Sequence, residues 1–493
     1  RTAGVLLHPT SLPCSESYWG DNRKNRFGTL GKDAYYFIDL LAKSGLTIWQ
    51  MLPTGPTQAD MSPYQSISAH AGNPELISLD WLLERGWIKA GDLLANRESA
   101  ALVRQTGALS FYAFIDTNEG NQTRQDFQNF CSQQKYWLDD FSLFCAIRKH
   151  YEGALWSSWP IELRQRHQKT IDEIRIELKD DIDVVLFEQF AFFTQWLSLK
   201  NYANQKGIYL FGDMPIFVGH DSADVWSQQH YFQLDEEGNP LTVAGVPPDY
   251  FSETGQHWGN PHYAWQAMAK DGFQWWLARL RTQLQLFDLI RIDHFRGFEA
   301  YWEIPGNSHD ARLGKWVKAP GEAFLTACFN AYPGLPLVAE NLGVITEEVE
   351  ALRNQFDLPG MLVLQFAFDG NTNNPHLPHN HTRSDVIYTG THDNDTTLGW
   401  WESINDENRK RVQEYCFHSD EEMPWLLIES ALASVGRMAI IPMQDFLELD
   451  GRHRMNMPGT TDKNWVWTFS WDQVEPALAD RIRQLLAIYH RLG

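Results

Sequence analysis

Three short stretches of this sequence put carboxylates beside other polar groups at the end of an apolar, strand-like run. They are RIDHFRGF at 291–298, LPLVAENLG at 335–343 and TGTHDNDTT at 389–397. In the first, Arg291 and Asp293 are two residues apart, so on a strand their side chains leave the same face. A guanidinium beside that carboxylate favours its ionised form, and an ionised Asp at a strand end can serve as nucleophile or counter-charge. A structural ion pair is the plainer alternative. In the second, Glu340 follows Leu337 and Ala339 and precedes Asn341. Apolar surroundings raise a carboxyl pKa, as a general acid requires, although a Glu capping the next turn would present the same pattern. In the third, Asp393 stands between His392 and Asn394. Asp393 or Asp395 could begin the helix that follows as its N-cap; we expect Asp395 to be the cap and Asp393 the functional acid.

One carboxyl kept protonated and one kept ionised are the equipment of retaining glycoside chemistry. The carboxylate attacks the anomeric carbon while the acid protonates the leaving oxygen, and the acid then acts as base. A third acid can orient hydroxyls and stabilise the oxocarbenium-like state. The aromatic content fits a neutral ring-shaped ligand: there are 21 Trp, 28 Phe and 17 Tyr, most of them expected in the core and some as platforms. Other chemistries lack their residues. No G-x-S-x-G elbow, H-E-x-x-H pair, G-x-G-x-x-G after the first strand or Walker A sequence occurs. The Asp/Asn/Gly tract at 369–374 lacks EF-hand spacing, and His376, His379 and His381, with Pro375 and Pro378 among them, read as a solvated loop, metal binding being the minor alternative. Asp180 and Asp181 read as a solvated turn.

Positioning such groups requires a scaffold, and the composition is that of a large globular one. The 493 residues are 43% hydrophobic, enough for a sizeable core. A net charge of −22 argues against nucleic acid and anionic membrane surfaces as partners. No apolar run approaches the roughly 20 residues of a membrane span. Five scattered cysteines without a Cys-x-x-Cys pair point to a reducing cytoplasm. The start, RTAGVLLHPTSLP, has too short an apolar run for a signal peptide, and a first residue other than Met leaves room for a removed leader.

Strand-like runs at 4–8, 47–52, 208–211, 286–293, 335–340, 361–368, 385–391 and 438–444 alternate with helical patterns. Helices are expected at 32–43, 183–205, 273–285, 321–330, 346–356 and 421–434, with a closing helix at 476–492. Eight buried, branched-rich strands in this alternation predict a (β/α)8 TIM barrel, a doubly wound open sheet being the alternative. The chain reads as a single catalytic barrel over 1–493 with large, mainly helical insertions: 57–150 after the second strand and 218–270 after the third. In such a barrel the catalytic groups hang from the C-terminal ends of the strands.

The sequence resembles the amylomaltase or disproportionating-enzyme family of 4-α-glucanotransferases, in the α-amylase clan. The likeness runs through GVLLHPTSLP (4–13), SPYQSISAHAGNP (62–74), GDMPIFV (212–218), VAGVPPDYFSETGQHWGNPHY (243–263), RIDHFRGF (291–298), VAENLGVIT (338–346), TGTHDNDTT (389–397) and RMNMPGTTDKNW (454–465). The resemblance implies Asp293 as nucleophile, Glu340 as acid/base and Asp393 as transition-state stabiliser. It implies Arg291, His392 and Asp213 at the cleaved glucose, with Tyr64 and Asn464 as further contacts. It implies a barrel without the C-terminal β-domain of amylases, no organic cofactor, and α-1,4-glucans or malto-oligosaccharides as donor and acceptor; the residues themselves offer no dedicated metal site. Many relatives carry Asp after the acid/base Glu, where this chain has Asn341.

Residues 245–260, GVPPDYFSETGQHWGN, mix three rings with Pro, Gly and polar residues and read as neither helix nor strand. The resemblance makes them a lid over the acceptor site, with Tyr250, Phe251, Gln256 and Trp258 touching sugar. A lid that excludes water favours transfer over hydrolysis. Two other functions compete: a retaining α-glucan hydrolase with the same acids, and an inactive glucan-binding protein.

Overall fold

A computed structural model describes residues 1–15, 27–96, 99–248, 253–416, 422–460 and 462–493. Eight parallel strands build its centre: β1 (Thr2–Leu6), β2 (Ile48–Gln50), β3 (Tyr209–Met214), β4 (Leu289–Ile292), β5 (Leu337–Ala339), β6 (Met361–Val363), β7 (Val386–Tyr388) and β8 (Met438–Pro442). Each lies within or overlaps one of the eight runs read from the sequence. The sheet order is β6-β7-β8-β1-β2-β3-β4-β5, so successive strands are neighbours and the sheet curls into a nearly closed barrel. Strands β2, β5, β6, β7 and β8 are buried along their whole length, which is why they read as continuous apolar runs and not as alternating ones.

The gap between β5 and β6 is bridged without a strand ladder. Ala339 N–H donates to Pro359 O at 2.9 Å. Beside it, Met361 N–H donates to the side-chain oxygen of Asn341 at 2.8 Å, while the Asn341 amide donates to Glu350. Asn341 therefore helps to close the barrel.

The helix Lys32–Ser44 follows β1 and shows how the outer layer forms. Ala34, Phe37, Ile38 and Leu41 recur at helical spacing and are buried. Gly45 ends it at φ 78°, a left-handed cap that glycine adopts without a Cβ penalty. Past β8, the described chain carries loop and short helical turns and then the helix Leu478–Ile488, which buries Leu478, Ala479, Ile482 and Leu486. Five tryptophans, Trp49, Trp156, Trp196, Trp226 and Trp276, are fully buried core rings.

Between β2 and β3 the chain is helical, including Ala100–Ile115, Asn121–His150 and Lys179–Gln205. Asp180 and Asp181, expected in a turn, occupy the first turn of the last of these, where Asp181 pairs with Lys149 at 2.6 Å. Acidic residues suit that end of a helix. The connections after β3 and β4 are not purely helical. Residues Gln256–Pro261, Thr242–Val246, Ala300–Pro305 and Lys315–Lys318 form a four-stranded antiparallel sheet in that order. Both ends of the 245–260 segment are thus strands; cross-strand pairing overrides a locally poor sequence. Among the described residues no helix is long and apolar enough to cross a membrane.

Candidate active site

Strand register brings the acids together. Asp213 on β3 pairs with Arg291 on β4, and Arg291 pairs with Val338 on β5. Asp293 and Glu340 lie two residues beyond Arg291 and Val338, so they leave on the same face as those residues, at the C-terminal mouth. Backbone bonds extend the ladder past the strands: Asp293 N–H donates to Met214 O and Glu340 N–H to Ile292 O, both at 3.0 Å.

Arg291 is the electrostatic centre. Its Nη1 donates to both oxygens of Asp213 at 2.7 Å, and its Nη2 lies 2.9 Å from Oδ1 of Asp293. Burial opposes charge on the guanidinium, but Asp213 and Asp293 overcome it and hold its pKa well above the ordinary value. Burial pushes Asp213 up against the pull of Arg291. Asp293 is the more open of the two carboxylates, its side chain 27% exposed against 1% for Asp213.

Glu340 is 9% exposed. Its Oε2 accepts from His294 N–H at 2.7 Å and its Oε1 from Leu342 N–H at 2.8 Å. Burial dominates the opposing Arg291, and the pKa rises from 4.5 to about 7. The structure thus has Asp293 ion-paired and Glu340 readily protonated, two carboxyl groups in contrasting environments.

The third acid sits on the loop after β7. Burial opposes its charge, yet His392 at 3.3 Å and Asn456, which donates at 2.7 Å, hold the Asp393 carboxyl well below the usual range. Its side chain remains half exposed. Burial would lower His392, but Asp393 wins and raises its pKa. Tyr64 joins this group to the floor of the site: its hydroxyl lies 2.7 Å from Asp213 and 2.8 Å from Nε2 of His392, and its ring stacks on the imidazole. Neither Asp393 nor Asp395 caps the helix Thr397–Ser403. Thr396 does, accepting from Gly399 N–H, while Asp395 accepts from Thr396 N–H and lies 3.6 Å from Arg454.

The other expected contacts are arranged differently. Trp258 is half-buried, its ring edge-on to His294 with centroids 4.9 Å apart. Its indole N–H donates to Gln256 at 3.0 Å, and Gln256 is exposed. Asn464 is buried, and its amide is engaged within its own loop with Met457 N–H and Thr460. Tyr250 and Phe251 lie outside the described residues. The imidazoles expected in a solvated loop are partly tied into the fold: His381 is buried against Ser434, and His376 accepts from Val363 N–H. Among the described residues no group of His, Cys, Asp and Glu could hold a metal ion.

Sequence reasoning missed Asn456, and Arg454, whose guanidinium donates to Asp393 O at 3.0 Å. Both lie in the quoted stretch 454–465, but nothing in their spacing from Asp393 marks them as neighbours.

A parallel barrel with three acids at its C-terminal mouth, one of them readily protonated, defines a class: barrel enzymes that act on glycosidic bonds by retention. The chain belongs to the 4-alpha-glucanotransferase family, whose model matches residues 7–473. It is 44% identical to a 4-alpha-glucanotransferase of Thermus thermophilus, over 100% of this chain and 99% of that one. It is 42% identical to the chloroplastic/amyloplastic 4-alpha-glucanotransferase of Solanum tuberosum, over 100% and 87%. A solved amylomaltase from Streptococcus agalactiae in complex with acarbose superposes with a TM-score of 0.93 at 34% identity, covering 100% of both chains.

Proposed function

We propose that in this 4-α-glucanotransferase Asp293 attacks the anomeric carbon of a bound α-1,4-glucan while Glu340 delivers its proton to the departing 4-oxygen. A covalent β-glycosyl-Asp293 results, and the reducing-end fragment leaves. Glu340, now ionised, takes the proton from the 4-hydroxyl of a second glucan or of glucose, whose oxygen displaces Asp293 and restores the α-linkage. Asp393 stabilises the oxocarbenium-like state and orients sugar hydroxyls. Arg291 pairs with Asp293 and aims it at the sugar, and Asp213, His392 and Tyr64 hold the glucose at the point of cleavage. Gln256 and Trp258, on the strand over the acceptor side, offer the acceptor a surface and keep water out, with Tyr250, Phe251 and Asn464 as further contacts. The insertions 57–150 and 218–270 serve as the walls of the groove.

The observation that carries this reading is the contrast between Glu340, raised to about 7, and Asp293 in its ion pair with Arg291. Malto-oligosaccharides as donor and acceptor agree with the acarbose bound in the Streptococcus agalactiae relative. A cytoplasmic setting is supported by the free thiols of Cys131, Cys145, Cys328 and Cys416.

Maltotriose alone tests the reaction. Transfer yields glucose and longer oligomers at constant total reducing ends. A steady rise in reducing ends would make the chain a hydrolase, and sugar binding without turnover would make it a binding protein. Asp293→Asn should abolish turnover, and unchanged activity in that variant would overturn the assignment of the nucleophile.

A further inference from the structure

The loop that carries His392 and Asp393 leaves the barrel at Thr389, just after β7, and ends at Thr397, the first residue of the next helix. Both ends meet one carboxylate from the neighbouring strand. Asp445 follows β8 within the short helix Met443–Phe446 and is 1% exposed. Its Oδ2 accepts from the hydroxyls of Thr389 at 2.6 Å and Thr397 at 2.7 Å, and its Oδ1 accepts from Thr397 N–H at 2.8 Å. Thr389 and Thr397 are fully buried.

A buried carboxylate is costly unless its oxygens are well supplied with donors, and three charge-assisted bonds supply them here. All three donors belong to the two ends of one loop, so their geometric effect is to fix the separation of those ends. From the other side, Gln365, just past β6, donates to Asp395 O at 2.8 Å. The loop is therefore gripped from both neighbouring strands.

We propose that Asp445 is a positioning residue of the reaction: it clasps Thr389 to Thr397 and thereby sets where the loop between them presents His392 and Asp393. This rests on the role given to Asp393 above. Asp445 itself touches no reacting atom. It acts through geometry, and a displacement of about 1 Å at reacting groups costs on the order of 100-fold in rate. The hydroxyls of Thr389 and Thr397 can turn to accept as readily as donate. An Asn at 445 with its oxygen toward Thr397 N–H and its amide toward the hydroxyls would therefore keep all three contacts.

The test measures kcat and donor KM for maltotriose disproportionation, with thermal unfolding in parallel. Asp445→Ala should lower kcat on the order of 100-fold while KM stays within about threefold, and Asp445→Asn should recover kcat to within about fivefold of the native chain. Should Asp445→Ala fail to fold, Thr389→Val and Thr397→Val each remove one hydroxyl, and each should lower kcat about five- to tenfold. Native kcat in a folded Asp445→Ala chain, or in both threonine variants, would reduce Asp445 to a structural role and overturn the proposal. So would equal losses in Asp445→Ala and Asp445→Asn. A double variant separates the clasp from the reading beneath it. Adding Asp445→Ala to Asp393→Asn should cost little more than Asp393→Asn alone; additive losses would mean that Asp445 acts elsewhere. Native turnover in Asp393→Asn would overturn the role of Asp393 itself, and the clasp with it.

Discussion

The main-chain N–H of His294 donates to Oε2 of Glu340 at 2.7 Å. His294 directly follows Asp293, and it holds φ at 53°, a left-handed conformation that turns its amide toward β5. The residue after the candidate nucleophile thus fixes the candidate acid. Any shift of the turn after β4 moves both carboxyl groups together, which preserves their relative geometry at the cost of a backbone conformation that ordinary residues rarely adopt.

Replacing Glu340 by Gln should lower kcat on glucan donors by about 10²- to 10⁴-fold, the usual worth of a positioned acid/base. A maltosyl fluoride donor needs no proton on its leaving group. The variant should therefore release fluoride in a first turnover close to the native rate and then stall. Glucan turnover within tenfold of native would remove Glu340 from the acid role.

The pH profile follows from the raised pKa. As the proposed acid, Glu340 has to be protonated when the donor is cleaved, and its pKa lies at about 7 in place of 4.5. The kcat/KM for donor should be insensitive to this group below pH 7 and fall about tenfold per pH unit above it. The same shift has a sign for stability. The folded state binds this proton more tightly than the unfolded chain, so the contribution is fully present below pH 4.5 and is lost as pH rises through 7. A profile without an alkaline limb near 7 would contradict the assignment.

Arg291→Lys should be severe although the charge is kept. One ammonium cannot reach both Asp213 and Asp293 as the two arms of the guanidinium do. Loss of a partner from a buried ion group costs about 3–5 kcal/mol, so denaturant unfolding at pH 7 should show a drop of that order alongside lost turnover. A stability change under about 1 kcal/mol would mean that solvent, not Arg291, satisfies Asp213.

Trp258→Ala should shift the partition between acceptors and not the cleavage step. The ring stands edge-on to His294, next to the candidate nucleophile, on the strand Gln256–Pro261. Its removal admits water, so reducing ends should accumulate faster per transfer event, while glycosyl-enzyme formation changes less than about threefold. A strict loss of both reactions in parallel would make the ring a structural support.

How far the sequence reaches differs from residue to residue. Asp293 and Glu340 stood out as candidates because each directly follows an apolar strand, while Arg291 lies within its strand and Asp393 on the loop after β7. The helix cap at 396 was misread, since Asp393, Asp395 and Thr396 all have capping side chains and local chemistry alone does not choose among them. The strands at 242–246 and 256–261 were missed because a segment rich in Pro and Gly signals irregular structure, and what makes it a sheet is pairing with distant partners.

The sequence by itself determined the eight buried strands, the acids at three of their ends and the membership of the family, because apolar period and motif spacing are local and survive in one dimension. Only the tertiary structure decided which groups face one another. Tyr64 meets His392 across 328 positions and Arg291 meets Asp213 across 78, contacts that no spacing encodes. It also decided the surroundings of each carboxyl group. Burial lifts Glu340, while His392 and Asn456 hold Asp393 down, and the same side-chain chemistry shifts in opposite directions because desolvation and neighbouring charge are properties of the folded surroundings.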